Sequence, residues 1–132
     1  MKRGLQIILY ILTLIPLVFW PLNLIFGAAM HMPAEHVNPN IDSHIRFQFT
    51  WFFGLSLILW YIIPKVEQHT TLFRIIILTM TTGGVARLVS IWQVGMPDTI
   101  LLSAAILEIL LIALIPWQTA VVKMQRKEVR PS

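Results

Sequence analysis

The chain has 132 residues, of which 57% are hydrophobic and 12% are charged, and it contains no cysteine. Ordinary soluble domains carry about 25% charged residues, so this composition predicts a protein that lies in lipid. It excludes a soluble enzyme, a disordered tail and a nucleic-acid-binding domain, and the lack of cysteine excludes disulfides and thiolate metal sites. The length suits one domain over residues 1–132.

Four apolar runs predict four membrane-spanning helices, at residues 5–27, 47–63, 72–92 and 100–117. Each run approaches the ~20 residues that a helix needs to cross ~30 Å of hydrocarbon. Backbone groups in lipid must bond within their own segment, which favours helices over strands. The first run is longer than the apolar core of a signal peptide, about 7–15 residues, so we expect a span there. The predicted fold is an all-α, four-helix transmembrane bundle.

Basic residues predict the orientation of these spans. All but two of the ten lysines and arginines fall at the N terminus, in the second connection and in the C-terminal tail: Lys2, Arg3, Lys65, Arg74, Lys123, Arg126, Lys127 and Arg130. The long first loop, residues 28–44, and the short turn at residues 93–99 contain none. Because basic segments stay on the cytoplasmic side, we expect both termini in the cytoplasm and the long loop outside. The expected location is an inner (plasma) membrane.

Three charged residues fall in or beside the apolar runs, namely Arg46, Arg87 and Glu108. Ionisable groups in hydrocarbon cost roughly 2.5–3.5 kcal/mol each, so they usually face other helices and pair. The helical rise places Arg87 about 9 Å and Glu108 about 13 Å below the outer surface. We therefore expect these two side chains to meet, with Arg46 reaching them from the outer interface.

Helical spacing adds Asn23 and Ser90 to this predicted centre, because polar side chains on facing helices bond to each other. Two arginines and one glutamate leave one positive charge, which favours Asp42, a lipid phosphate or a carboxylate ligand as a partner. The candidate ligand-binding residues are Asn23, Asp42, Arg46, Arg87, Ser90 and Glu108. The alternative is a clamp between helices that orders the bundle and binds nothing.

The long loop also contains side chains that suit a metal ion. They are His31, Glu35, His36 and His44, with Asp42 or Glu108 as a further ligand. Imidazole and carboxylate groups bind zinc and other divalent ions. Their spacing matches no established metal motif, and solvated histidines are the simpler alternative. A divalent metal such as zinc is therefore a second hypothesis, and no other cofactor is expected.

These residues favour some functions over others. We expect first a membrane protein that binds a small anionic or polar ligand, or a lipid headgroup. A small transporter that uses Glu108 as a proton switch is the alternative. No nucleophile–base pair and no phosphate-binding glycine loop is present, so no catalytic residue is assigned and an enzyme is the least supported class. Association of several copies is left open.

Three segments carry a family resemblance: Asn40 to Phe47, Gly83 to Ser90, and the last span with Glu108. They resemble the DUF4345 family, a domain of unknown function in small bacterial four-span membrane proteins, from the first span to about Trp117. The resemblance implies an acid or amide before an arginine, a G-R-x-x-S element, and an acid in the last span. These positions fall on Asp42, Arg46, Arg87, Ser90 and Glu108, with Ala86 in place of the glycine before the arginine. The resemblance implies a bacterial envelope protein and supplies no reaction.

Overall fold

A computed structural model describes residues 1–129 of the chain, and within that range the protein contains helices and no strand. The five α-helices are α1 (Lys2–Phe26), α2 (Pro39–Ile62), α3 (Thr70–Val94), α4 (Thr99–Leu110) and α5 (Leu114–Val129). Short 3₁₀ turns lie between α1 and α2, after α2, and between α4 and α5. Arg130, one of the basic tail residues, lies outside the described residues.

Four helical segments are long and apolar enough to cross a membrane: Lys2–Met30, Pro39–Lys65, Thr70–Val94 and Thr99–Lys127. The prediction of an all-α protein with four spans is therefore confirmed. In the most apolar stretch of each segment, at most 22% of the residues are buried. Most of the apolar surface faces outward, which is unfavourable in water and favourable in lipid. The chain is thus a multi-pass membrane protein, and its orientation stays a prediction.

Helix α2 begins at Pro39, well before the apolar run that was expected to start at residue 47. The Asn38 side chain accepts a hydrogen bond from the Ile41 backbone N–H at 3.0 Å, which satisfies one of the free donors at the helix start. Proline suits the first helical position, because its missing N–H would have no partner there. The expectation of a loop over residues 28–44 is therefore wrong for residues 39–44, which are helical.

The fourth span is two helices rather than one run over residues 100–117. A 3₁₀ turn, Leu111–Ala113, joins α4 to α5. Pro116 follows this turn, and a proline inside a helix removes one hydrogen bond and crowds the carbonyl four residues earlier. The local tightening into a 3₁₀ turn is consistent with that disturbance. Helix α5 then continues to Val129, so the predicted end at Trp117 is too early.

The connection between α3 and α4 is short and well defined. Gly95 ends α3 with φ +119°, a backbone conformation that residues with a side chain rarely adopt. Its N–H donates to the Ile91 carbonyl at 3.1 Å. Asp98 then caps α4, because its carboxylate accepts from the N–H groups of Ile100 and Leu101. The end of α3 and the start of α4 are therefore both fixed by hydrogen bonds.

The chain divides into two compact units, each described here by itself. The α3–α5 unit consists of Met1–Ile7 and the chain from Ile62 onward, and the α1–α2 unit consists of Ile8–Tyr61. The single domain expected over residues 1–132 stays a prediction.

The α3–α5 unit has an apolar core that includes one buried amide. Its core side chains are Leu5, Ile62, Ile63, Val66, Phe73, Ile76, Ile77, Ala105, Leu114 and Val121. Gln118 is fully buried, and its amide donates to the Val66 carbonyl at 3.1 Å and to the Thr70 hydroxyl at 2.8 Å. These bonds attach α5 to the segment that precedes α3 and to the first residue of α3.

Polar and aromatic contacts hold the α1–α2 unit together. The Trp60 indole N–H donates to the Thr13 hydroxyl at 2.7 Å, and Thr13 is buried. Farther along, the rings of Trp20 and Phe53 stack with centroids 4.3 Å apart. Interhelical hydrogen bonds and close packing are the usual means of helix association in lipid.

Candidate functional site

Arg87 on α3 and Glu108 on α4 form an ion pair, with Nε and Oε2 3.0 Å apart. The helical rise places Arg87 about 10 Å from the end of α3 and Glu108 about 14 Å from the start of α4. The two residues therefore lie at similar depths below the α3–α4 connection, and this is the pairing that their spacing predicts. Glu108 is buried, with 7% of its side chain exposed, whereas Arg87 keeps 19%.

Gly84 brings the two helices close enough for this pair to form. A Cβ atom at Gly84 would lie 2.9 Å from the Cβ of Glu108 and 3.1 Å from the Ala105 carbonyl oxygen. Only a residue without a side chain permits that approach, which is the common role of small residues between helices in lipid. The close contact fixes the Glu108 backbone against α3.

The ion pair leaves several polar atoms unused. Among the described residues, the Nε contact with Glu108 is the only hydrogen bond of the Arg87 side chain. A guanidinium has five N–H donors, so both Nη groups remain available. Glu108 Oε1 likewise accepts no hydrogen bond from a described group, and the exposed Ser90 hydroxyl has no hydrogen-bond partner among them. Such an arrangement can donate charge-assisted hydrogen bonds to anionic oxygens.

Arg46 and Asp42 form a second ion pair, within the α1–α2 unit. Arg46 Nε donates to Asp42 Oδ2 at 2.7 Å and Nη2 to Oδ1 at 3.3 Å, while Nη1 donates to the Leu24 carbonyl. Asp42 also accepts from the Ala28 N–H at 2.9 Å. The pair thus links the end of α1 to the start of α2. Each guanidinium nitrogen of Arg46 already donates to an oxygen of this link, and the role of Arg46 as an anion ligand stays a prediction.

Gly27 completes this link at the end of α1. Its φ is +55°, in the left-handed region that favours glycine. A Cβ atom at this position would overlap Asp42 Oδ1 and lie 2.7 Å from Arg46 Nη2. Nothing in an apolar run that ends in Gly-Ala-Ala indicates a positive φ, so the role of Gly27 in this link could not be predicted from the sequence.

Asn23 is fully buried and has partners within its own unit. Its amide donates to the Phe19 carbonyl at 2.9 Å, and its Oδ1 lies 2.8 Å from His31 Nε2. The His31 ring stacks on Phe49 with centroids 5.8 Å apart. Sequence reasoning assigned His31 to the metal hypothesis and missed its contact with Asn23.

The predicted metal ligands do not gather. In the part of the chain that the structure describes, no group of three or more histidine, aspartate or glutamate residues could hold a metal ion. Glu35 and His36 lie in an exposed 3₁₀ turn, and His44 is exposed on α2. The metal hypothesis therefore has no geometric support here.

The six predicted ligand-binding residues fall into two sets. The α3–α5 unit contains the bonded pair Arg87 and Glu108, with Ser90 three residues beyond the arginine; the α1–α2 unit contains Asn23, Asp42 and Arg46. The single pocket expected from all six stays a prediction. The Asp42–Arg46 contact has the i, i+4 spacing of helical ion pairs, a signal that becomes readable only once α2 is known to start at Pro39.

Comparison with curated proteins and with solved structures finds no match. A family model described as "Domain of unknown function (DUF4345)" matches residues 4–118. The match covers most of the chain and includes the ion pairs Asp42–Arg46 and Arg87–Glu108. The chain therefore belongs to the DUF4345 family.

Proposed function

We propose that this chain is a multi-pass protein of the bacterial inner membrane that binds the anionic group of a small ligand or lipid headgroup at Arg87. The observation that carries the proposal is the state of the guanidinium. One nitrogen is held by Glu108 at 3.0 Å, and in the described chain the other two have no hydrogen-bond partner. The distribution of basic residues supports an orientation with both termini in the cytoplasm.

Glu108 orients the arginine in this proposal. A guanidinium is planar, so fixing Nε also fixes the direction of the two Nη groups. Those groups can bind a phosphate or carboxylate through two parallel hydrogen bonds, and such bonds are stronger where water is scarce. The Ser90 hydroxyl lies one turn farther along α3 and supplies an additional donor.

Of the alternative functions, only a clamp between helices has an observed contact in its favour. A clamp between helices accounts for the Nε–Oε2 contact and requires no ligand. A transporter or a metal site would need features beyond this contact, and the side chains that the structure describes contain no metal-binding group of three. The binding proposal and the clamp differ in one measurable respect, because only the first predicts that Arg87 changes affinity for an anion.

The test uses the full chain purified in detergent and stripped of lipid. Phosphatidylglycerol or inorganic phosphate is added, and the melting temperature is measured, since a ligand of the native state raises it. We expect a shift for the natural protein and none for the double variant Arg87→Gln/Glu108→Gln, which removes both charges together. Arg74→Gln is the matched control, since Arg74 is an exposed arginine on the same helix. Equal shifts in all three proteins would refute the proposal.

A further inference from the structure

The Arg87–Glu108 pair has no net charge, because one guanidinium faces one carboxylate. A ligand with only a negative charge would leave an uncompensated charge among apolar helices, where ionisable groups are costly. A ligand that carries both signs keeps the site neutral when it binds. The charges of the pair therefore favour a zwitterion over a simple anion.

Each member of the pair keeps unused atoms of opposite polarity. Among the side chains and backbone that the structure describes, Arg87 hydrogen-bonds only through Nε, so its Nη groups remain donors. Glu108 accepts from Arg87 at Oε2, and no described group donates to Oε1. The ion pair thus offers N–H donors to a negative group and an oxygen acceptor to a positive group.

Small residues on α3 leave space beside these atoms. Gly83 is exposed, and a Cβ atom there would lie 3.6 Å from Glu108 Oε2; apart from its chain neighbours and the adjacent backbone of α3, no other described atom would lie within 4 Å. Ser90 is also exposed, and its position three residues after Arg87 puts it on the same side of the helix. A headgroup can therefore approach the pair along this side of α3.

Building on the function proposed above, we infer that the ligand is a phosphate joined to a primary ammonium, as in phosphatidylethanolamine or soluble phosphoethanolamine. The Arg87 Nη groups donate to the phosphate oxygens, and Glu108 Oε1 accepts from the ammonium. A primary ammonium offers three N–H donors, whereas the quaternary ammonium of a choline headgroup offers none and a glycerol headgroup has no positive charge. The pair would thus distinguish ethanolamine from both.

The test uses the full-length protein stripped of lipid. Native mass spectrometry measures how well it retains each of three phospholipids that have identical acyl chains. We expect phosphatidylethanolamine to be retained about tenfold better than phosphatidylglycerol or phosphatidylcholine, because each of these lacks the charge-assisted bond to Glu108. Glu108→Gln leaves Arg87 with an unbalanced positive charge, so its preference should reverse towards phosphatidylglycerol. Glu67→Gln is the matched control, since Glu67 pairs with Lys2 at 2.8 Å and should keep the natural preference.

The outcomes separate this inference from the proposed function. If the ethanolamine and glycerol lipids are retained equally, and both are lost in Arg87→Gln/Glu108→Gln, the inferred preference for a zwitterion is overturned. The proposed binding of an anion then remains. Retention that is independent of Arg87 overturns both. The preference of the natural protein needs no variant, so the test stands even if Glu108→Gln does not fold. Displacement of the lipid by soluble phosphoethanolamine would support a ligand from water, and resistance to it would support the lipid headgroup.

Discussion

At the scale of single residues, Arg87 and Glu108 depend on each other. Glu108 is buried, and its Oε2 has the Arg87 guanidinium as its partner at 3.0 Å. Removing one member of such a pair leaves the other charge unpaired in a poorly solvated place, which costs more than removing both. The stability of the protein should therefore respond to the two residues as a unit.

A double-mutant cycle measures this dependence. We expect Arg87→Gln to lower the free energy of unfolding by about 3 kcal/mol, because it leaves the Glu108 carboxylate buried and unpaired. The double variant Arg87→Gln/Glu108→Gln should be more stable than Arg87→Gln, since two amides can bond to each other. Unfolding by sodium dodecyl sulfate in mixed micelles provides the free energies. Additive effects of the two substitutions would show that the residues do not interact.

Sequence reasoning identified this pair because a charge inside an apolar run is conspicuous, and because helical rise gives its depth. It also named Asp42 as one possible partner of the remaining positive charge, but it could not find the Leu24 carbonyl and the Ala28 N–H beside the Asp42–Arg46 pair, since both are backbone groups. Backbone partners leave no pattern in a sequence. Their positions depend on how the chain turns after α1.

At the scale of helices, α3 and α4 approach each other at Gly84. A Cβ atom there would lie within 2.9 Å of Glu108 Cβ and 3.0 Å of Ile109 Cγ1, contacts too short for ordinary packing. At the preceding residue, Gly83, an added Cβ atom would make only an ordinary contact, with Glu108 Oε2 at 3.6 Å. The two adjacent glycines thus differ sharply in the space around them.

This difference gives a prediction with an internal control. Gly84→Ala should destabilise the protein by about 1–3 kcal/mol, because the added methyl group forces α3 and α4 apart. Gly83→Ala should be neutral or stabilising by up to about 1 kcal/mol, since alanine favours the helix and nothing obstructs it. Thermal unfolding in detergent compares the two. Equal stability of both variants would mean that the close approach at Gly84 does not hold.

The limits of the helices were predictable where hydropathy changes abruptly and less so elsewhere. The expected span at residues 72–92 is close to α3, Thr70–Val94, because polar residues adjoin it on both sides. The start of α2 was missed because its first turns are polar and are set by the Asn38 cap. Hydropathy measures burial in lipid, whereas a helix begins where its backbone donors find partners.

At the scale of the whole molecule, the proposed function depends on the orientation of the protein in the membrane. If each of the four candidate spans crosses the bilayer, the segment between α1 and α2 and the segment between α2 and α3 lie on opposite sides. Basic residues predict that the first of these segments is outside. A protein without cysteine allows this to be tested by labelling single introduced thiols.

Two cysteine variants report on the two sides. Glu35 lies in the exposed turn before α2, and Gln68 is exposed in the connection before α3. In intact cells, a membrane-impermeant maleimide should label Glu35→Cys and should label Gln68→Cys only after permeabilisation. If only Gln68→Cys is labelled in intact cells, the orientation is the opposite of the one predicted.

The central claim is that Arg87 binds an anionic oxygen, and a distance between phosphorus and the arginine nitrogens tests it most directly. Solid-state NMR on ¹⁵N-arginine protein in phospholipid vesicles measures the dipolar coupling between ³¹P and the Nη atoms. We predict a coupling that corresponds to a direct hydrogen bond, N···O about 2.8 Å. It should persist in Arg74→Gln and disappear in Arg87→Gln/Glu108→Gln. The same coupling in all three proteins would contradict the claim.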